Sequence, residues 1–533
     1  MKTRIINILL PFLLFSFGFL AAQNDDFGDE KIHLFTDRTL YVCEDEIQFS
    51  AFIENRHDQS KVLYIELIFA DGTALSSQKH LISSNQSSGK MEIPKDLLSG
   101  TYYLKAYTKY LRNFGANQFS YIALKIVNPY SNEFLSGNEW MLLDTVWNQN
   151  TVSIGARLQT NLEYKLDLNE LPLLKNATLS IVPAFSFQSS NSVKPEEPTN
   201  AKFYLPETDG ISLSGKLIDS LSKEPLPFRE INLSIVAQKN FRSTRTNASG
   251  QFFFALPEIF GSQDVFISTK KEKEVHPIIF VDKDYDNSVL QLPTPPFVLT
   301  EKERKTALLL AQSIQIRQHF YTQSTPQFLD TFSIPFYGQA ENTLYLDNYI
   351  AFETLEEYFT ELPGLVKVKS LKKEKQLSIV SSLRDMSFYP PLVLMDWVAV
   401  EDINRILAVS PRGIEKVEVV PFPYVYGDFI YGGIISILSR NKDFGGISLP
   451  KTGLFFNYDF FYPESAFDIA KTASSAPDTR NTLYWTQNKS RNTLPLQSIH
   501  FDAKFSDIPY WLIVQGVDEN GNEIREIYPI ELN

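Results

Sequence analysis

From Lys31 to Pro129, apolar and polar residues alternate in short runs broken by turn residues: KIHLFTDRTLYVCEDEIQFSAFI, KVLYIELIFADG, GTYYLKAYTKYLRN and FSYIALKIVNP. A period of two places alternate residues on one face, as in Leu34 and Thr36, Tyr41 and Cys43, or Tyr64, Glu66 and Ile68, with their neighbours on the other. Such runs predict half-buried strands of a β-sandwich. Over 130–205 the pattern thins to TVSIGARL, NLEYKLDLNEL and NATLSIVPAF, which predicts a second, smaller sandwich ending in the polar linker SSNSVKPEEPTN (189–200). Alternation returns over 211–258, where Gly215 and Asp219 open a strand and turn, EPLPFREINLSIV supplies the next strand, and TNASGQFFFAL turns into another.

The period changes at TEKERKTALLLAQSIQIRQHFYTQ (300–323), where Leu308, Ala311, Gln315 and Gln318 fall at helical spacing. Thr300, with Glu303 three residues on, predicts a capping box, and the helix reads as a rigid connector. Beyond it, PPLVLMDWVAVEDINRILAVSPRGIEKVEVVPFPYVYGDFIYGGIISILSR (390–440) predicts a strand Leu392–Met395 ending at Asp396 and a short helix around Asp402–Ala408. A strand Ile414–Val420, a Tyr426-Gly427 turn and a closing strand Ile434–Leu438 follow, with Gly432 and Gly433 giving backbone freedom at its start. The remaining chain carries the aromatic stretch GLFFNYDFFYPESAF (453–467), then NTLYWTQN, IHFDAKFSD and PYWLIVQGVDENGNEIREIYPIEL (509–532). Asn520-Gly521 between two alternating runs predicts a hairpin, and the whole a final sandwich.

The N-terminus changes the picture. Lys2 and Arg4 precede an apolar run from Ile5 to Leu20 and the small residues Ala21 and Ala22. That order predicts a secretory signal peptide cut near Ala22 or Gln23. A membrane anchor is the rival reading, opposed by Pro11 within the run and by the acidic tract Asp25, Asp26, Asp29 and Glu30 after it. No second segment approaches the ~20 apolar residues of a spanning helix. The 533 residues suggest about three to five domains, and 43% hydrophobic content with 13% aromatic fills their cores. The single cysteine, Cys43, allows no internal disulfide and stands too far from the signal to carry a lipid. A net charge of −13 disfavours nucleic acid and anionic lipid as partners, and the densest basic stretch, LKKEKQ (371–376), is diluted by Glu374.

Three stretches resemble known families. DRTLYVCEDEIQFSAFI followed by LLSGTYYLKAYTKYLRNFG resembles the macroglobulin-type sandwich of alpha-2-macroglobulins and of exported Bacteroidetes-type surface proteins, with Cys43 and Glu44 where that pattern often has Pro-Gly. The 211–258 block resembles the carboxypeptidase regulatory-like domain, which implies a small sandwich without the enzyme's metal ligands. The 390–440 stretch resembles the plug of TonB-dependent receptors, in the order PLVLMDW, IEKVEV and YG…GGIIS. Trp397 replaces a usual glycine, and PFPYVYGDF replaces a run of small residues. The fold class expected is mainly β: tandem macroglobulin/Ig-like β-sandwich domains plus one α+β plug-like domain and a connector helix. The segments are a signal peptide at 1–22, sandwiches at 23–129, 130–205 and 206–297, the helix at 298–325, the plug-like domain at 326–450 and a C-terminal β domain at 451–533. A 22-stranded barrel needs on the order of 220 residues, more than the 441–533 that follow the plug-like stretch, so any barrel is expected from a separate protein.

Candidate chemistry is sparse. His33, His57, His80, His276, His319 and His500 are dispersed, and HExxH, GxSxG and P-loop patterns are absent. No catalytic residue, metal ligand or cofactor is therefore expected. Cys43, within a strand pattern, reads as a buried small hydrophobe, with a reactive thiol as the alternative. Asp282, Asp284 and Asp286 have calcium-loop spacing, but Asn287 and Pro293 stand where the turn glycine and bidentate Glu belong, which favours a solvated turn. One cysteine at 43 also rules out the macroglobulin thioester. Trp397, Phe422, Tyr424, Tyr426, Phe429 and Tyr431 concentrate aromatic surface and are the candidate partner-binding residues, the alternative being that they fill the module's own core.

The expected function is an exported, non-enzymatic, outer-membrane-associated scaffold or adaptor in the periplasm or at the cell surface. Its partners would be outer-membrane or cell-surface proteins, a barrel protein among them, without nucleic acid or direct membrane insertion. An accessory role in TonB-dependent transport beside a separate barrel is the alternative, and an enzyme on an unrecognised site the third reading. Mass spectrometry of the protein from a Gram-negative envelope should find a mature N-terminus at Gln23 or one residue earlier; a retained Met1 would support the anchor instead.

Overall fold

The computed structural model describes residues 30–54, 60–135, 163–165, 174, 176–189, 193–195, 204–270, 274–320, 334–361, 365–371, 374–380, 388–463, 480–488, 498–500 and 509–530. The expected signal peptide, TVSIGARL, and most of SSNSVKPEEPTN and IHFDAKFSD lie outside the described residues.

The N-terminal sandwich pairs a sheet of Lys31–Thr36, Glu46–Glu54 and Gln86–Glu92 with a five-stranded sheet ordered Leu40–Val42, Ser120–Val127, Gly100–Tyr107, Val62–Ile68 and Ala74–Leu81. Ile47, Phe49, Tyr41, Ile65, Leu104 and Ile126 fill the space between the sheets. Cys43 lies in this core with its thiol 3.5 Å from the Leu97 carbonyl, and burial pushes it up to about 11. It is a buried small side chain there. Several strands depart from the expected half-burial, Val62–Ile68 most fully, being buried at all seven positions. Its outer face, with Tyr64 and Glu66, is covered by other modules, so the alternation in sequence marks a change of chemistry rather than of solvent exposure.

The central sandwich sets Gln251–Ala255, Ser212–Asp219 and Pro277–Val281 against a sheet ordered Asn240–Arg245, Glu230–Ile235, Ser262–Thr269 and Leu454–Asp459. The last strand comes from the aromatic stretch expected to open the C-terminal domain. It pairs antiparallel with Ser262–Thr269, Val265 opposite Phe456, and its Leu454, Phe456 and Tyr458 join the sandwich core. A second rearrangement follows. Asn176–Pro183, from the expected second sandwich, lies between Tyr484–Asn488 and Tyr510–Val517, and Glu523–Ile530 completes the sheet. Glu163–Lys165 likewise pairs with Ser498–His500. The described strands of 130–205 and of the chain end thus share composite sheets, because each alone offers too few strands to cover an apolar face. The expected hairpin is present, but its turn spans Asp518–Asn522. The Asp518 carboxylate accepts the Asn520 and Asn522 amides at 2.9 and 2.8 Å, and Gly521 supplies a φ of 80°.

The helix runs over Glu301–Phe320 with the expected capping box: the Glu303 amide donates to Thr300 Oγ1 at 3.2 Å and the Thr300 amide to Glu303 Oε2 at 2.7 Å. Its buried face differs from the expected one. Thr306, Ala307, Leu310, Ala311 and Ile314 are buried, whereas Leu308, Gln315 and Gln318 are exposed. The buried stripe packs on Leu40, Val42, Val127, Phe297 and Leu299, and Thr306 Oγ1 donates to the Ala184 carbonyl at 2.8 Å. The helix is fastened along the N-terminal sandwich and reaches the composite sheet.

The α+β module has a five-stranded sheet ordered Asn342–Tyr345, Ile414–Val420, Ile434–Ser439, Leu392–Met395 and Val398–Ala399, with the third and fourth strands parallel. Helices Leu355–Glu361 and Ile403–Leu407 cover one face through Leu355, Phe359, Ile406 and Leu407 against Val393, Val417, Ile435 and Ile437. These elements match the expected strands and short helix, and the structure adds that Asp402 caps that helix. Thr300→Ala should cost about 1 kcal/mol of local stability, read as faster amide hydrogen exchange confined to the first turns of the long helix.

Candidate functional site

The six aromatic candidates gather where the α+β module meets the central sandwich. Tyr424–Tyr426 and Phe429–Tyr431 form a hairpin around Gly427 and Asp428, with Gly427 at φ 53°. A two-residue turn of this kind requires a left-handed start, which glycine adopts without strain. The inward side of the hairpin lies on the edge strand Asn240–Arg245. Arg242 donates to the Tyr426 hydroxyl, the Arg245 guanidinium sits 5.1 Å from the Phe429 ring centre, and the Tyr431 hydroxyl donates to Glu230 at 3.1 Å. Phe336 meets Tyr424 edge-on at 5.5 Å, and Phe241 packs into the same cluster. Arginine over aromatic faces adds electrostatic attraction to apolar burial.

Trp397 is 9% exposed, stacked on Tyr337 at 5.8 Å with Lys239 above its face. It and Asp396 form the tight turn between Met395 and Val398 at φ 72° and 44°. A left-handed tryptophan costs on the order of 1–2 kcal/mol, offset by the buried indole. The Asp396 carboxylate holds the turn by accepting the Ser439 amide at 2.7 Å and the Phe444 amide at 2.9 Å. Five of the six candidates therefore serve internal packing between modules, and only Phe422, at 45%, is well exposed. The outward face of the hairpin is instead made by Val425 and Ile430, directly opposite one another and 63% and 42% exposed. Their signal was in the sequence as the odd members of an alternating Tyr-Val-Tyr and Phe-Ile-Tyr pattern, masked by the aromatics between them.

The acidic loop is a solvated turn, as expected, only at Asp282, which is exposed; Asp284 and Asp286 are turned inward. Asp282 accepts from Ser214 Oγ at 2.7 Å. Asp284 pairs with Lys79 at 2.6 Å and Lys109 at 3.7 Å, and accepts from the Tyr458 hydroxyl. Asp286 lies 3.5 Å from Lys105 and 3.8 Å from Arg112, while Glu66 pairs with Lys105 at 2.7 Å and Glu207 with Lys109 at 3.1 Å. Asp282 apart, the side chains of these eight charged groups are at most 8% exposed. Lysines and an arginine thus occupy the surroundings that a cation would need, and among the described residues no group of acids, histidines and cysteine is placed to hold a metal ion.

Burial works against charge in this clasp. For Asp284 the two ammonium groups and the bonds from Lys79 and Tyr458 outweigh it, so the carboxyl titrates below its ordinary 3.8. For Lys79 burial outweighs Asp284 and the ammonium is weakened. The two partners thus shift in opposing senses for the pair. The carboxylate decides the charged state near neutrality, because it gathers more donors than Lys79 gathers acceptors.

Among the described residues the histidines do not converge either. His33 is buried between Glu523, 3.0 Å from Nδ1, and Glu54, 3.3 Å from Nε2. His80 stands edge-on to Phe49, and burial lowers it to about 3. Nearby, buried Arg38 pairs with Asp45 at 3.0 Å and Asp37 at 3.1 Å and donates to Thr482, tying the N-terminal sandwich to the composite sheet.

No family model matches the chain, and no curated protein matches it. Among solved structures it is similar to Salmonella alpha-2-macroglobulin, at 9% identity over 48% of this chain and 23% of that one with a TM-score of 0.16. It is similar to Escherichia coli alpha-2-macroglobulin activated by porcine elastase, at 12% identity over 48% and 20% with a TM-score of 0.16. A CARDB domain from Pyrococcus furiosus, solved with di-metal ions, matches at 9% identity over 19% of this chain and 96% of that domain, with a TM-score of 0.15. The chain spans less than a quarter of those macroglobulins. The mainly β class of this chain rests on its own sheets.

Asp284→Asn should cost about 3–5 kcal/mol by leaving Lys79 buried without a full counter-charge. The sign with pH follows from the lowered carboxyl. Its contribution is complete above the ordinary aspartate value and disappears as pH falls through the folded-state value, since the unfolded chain then binds the proton more tightly. Thermal denaturation between pH 7 and pH 2 should show the parent losing this advantage below about pH 4 and the variant lacking it throughout.

Proposed function

We propose that this protein is an exported, non-enzymatic scaffold of the outer membrane that presents a plug-like α+β module to a partner protein. The observation that carries this reading is the division of the hairpin into two faces. Its tyrosines and Phe429 lock the module onto the central sandwich through Arg242, Arg245 and Glu230, while Phe422, Val425 and Ile430 are left outward as a small apolar surface on a fixed mount. Pre-organised apolar groups lose little freedom on binding and suit an interface anchor. The sandwiches, by the macroglobulin-type and carboxypeptidase regulatory-like resemblances, serve as spacers and binding modules.

Action as a gate inside a separate barrel fits less well. The plug-like module has one side covered by the central sandwich, and entry into a lumen would require breaking the arginine–aromatic contacts. Attachment is by protein contacts: among the described residues no helix is long and apolar enough to cross a membrane, which leaves strand-based spanning to be tested directly.

Replacing Phe422, Val425 and Ile430 together with Ser should leave secretion intact and reduce partner recovery from crosslinked envelopes at least several-fold, and high-pH carbonate should strip the parent protein from outer membranes. Carbonate resistance together with heat-dependent gel migration would sink the peripheral scaffold, and undiminished recovery by the triple variant would sink this docking face.

A further inference from the structure

A cleft of about 550 Å³ separates the central sandwich from the α+β module on the side of the short helix Ile403–Leu407. Its size suits a drug-sized or short peptide ligand. Met395, Val400, Phe444 and Ile447 give it an apolar floor, and His276, Glu401, Asp402, Arg405 and Lys451 supply its charge.

These charges are unequally committed. Asp402 caps the helix by accepting the Arg405 amide, Glu401 has a partner within the chain, and His276 sits against Asp219. Arg405 spends one Nη2 donor on Ser448 Oγ at 2.6 Å, out of five on a guanidinium. Lys451 is exposed and makes no hydrogen bond or ion pair among the described residues. The formal charges of the lining balance, Glu401 and Asp402 against Arg405 and Lys451, but the hydrogen-bond donors left to spare belong to Arg405 and Lys451 and stand over an apolar floor.

From this arrangement we infer that the cleft binds the carboxyl terminus of a peptide whose last residue is apolar. The carboxylate is taken by Arg405 and Lys451, a charge-assisted contact of the stronger kind, and the terminal side chain by Met395, Phe444 and Ile447. Peptide is favoured over an alkyl carboxylate because the hydroxyl-bearing residues Ser220, Ser268 and Ser448 also line the cleft. Amide groups can pair with hydroxyls, whereas a saturated chain would desolvate them without return. The site is separate from the outward face of the hairpin, and it stands or falls whatever that face binds.

The test is fluorescence anisotropy of the full mature chain with N-terminally labelled Gly-Ala-Leu-Phe bearing a free carboxylate, its C-terminal amide, and decanoate as competitor. The free acid should saturate, the amide should bind at least about tenfold more weakly, equivalent to ~1.4 kcal/mol, and Lys451→Gln should lose several-fold. Arg405→Gln should lose at least as much. Because that change also removes the Ser448 contact, Lys451→Gln carries the decision if Arg405→Gln alters the circular dichroism spectrum. Absence of saturation at millimolar protein, equal binding of the amide, an unaffected Lys451→Gln, or decanoate binding more tightly than the peptide would each overturn the proposal.

Discussion

The arrangement of the molecule hangs on charge that has been taken out of water. Lys79, Lys105, Lys109 and Arg112 on the N-terminal sandwich face Asp284 and Asp286 on the segment leaving the central sandwich, with Glu66 and Glu207 completing the set. A buried charge without its partner costs several kcal/mol, so the clasp stabilises one relative placement of the two sandwiches strongly over any other. Tyr458, from the strand added late in the chain, donates into the same cluster and makes that strand part of the joint. The α+β module is in turn carried on the far strand of the central sandwich, which places its hairpin.

Strand exchange between distant segments reinforces this. The chain leaves the central sandwich, builds the α+β module, and returns to add Leu454–Asp459 to the sandwich it left. It then supplies three strands around Asn176–Pro183. Closing such long loops adds an entropic cost that grows only slowly with loop length, and the apolar pairs gained, such as Leu179 beside Val514, lie in a well-filled core. Modules joined in this way do not swing like beads on a string. A partner would meet a fixed surface.

At the second joint the same side chains explain both position and exposure. Arg242 and Arg245 draw the aromatic side of the hairpin inward, which leaves its aliphatic side outward. The cleft beside the short helix is a consequence of holding two compact modules edge to edge: each surface is satisfied within its own module, and the spare donors of Arg405 and Lys451 are left between them.

Period and local chemistry were enough to locate the strands Leu392–Met395, Ile414–Val420 and Ile434–Ser439, the Thr300–Glu303 cap and the short helix after Asp402, because those depend on residues a few positions apart. The burial of Cys43 was legible for a related reason, its place in an apolar strand pattern. Which sheet a strand joins was not legible. Leu454–Asp459 and Asn176–Pro183 carry ordinary alternation, and only the tertiary structure decides whose apolar face each completes. The same holds for the helix, whose stripe of Ala307, Leu310, Ala311 and Ile314 is selected by the surface it lies on. It holds most sharply for Asp284, Asp286 and the hairpin aromatics. The sequence favoured a solvated turn for the aspartates and a docking surface for the aromatics, but lysines and arginines some 170–200 positions away in the chain, brought close only by folding, turn Asp284, Asp286 and most of the aromatics into internal joints.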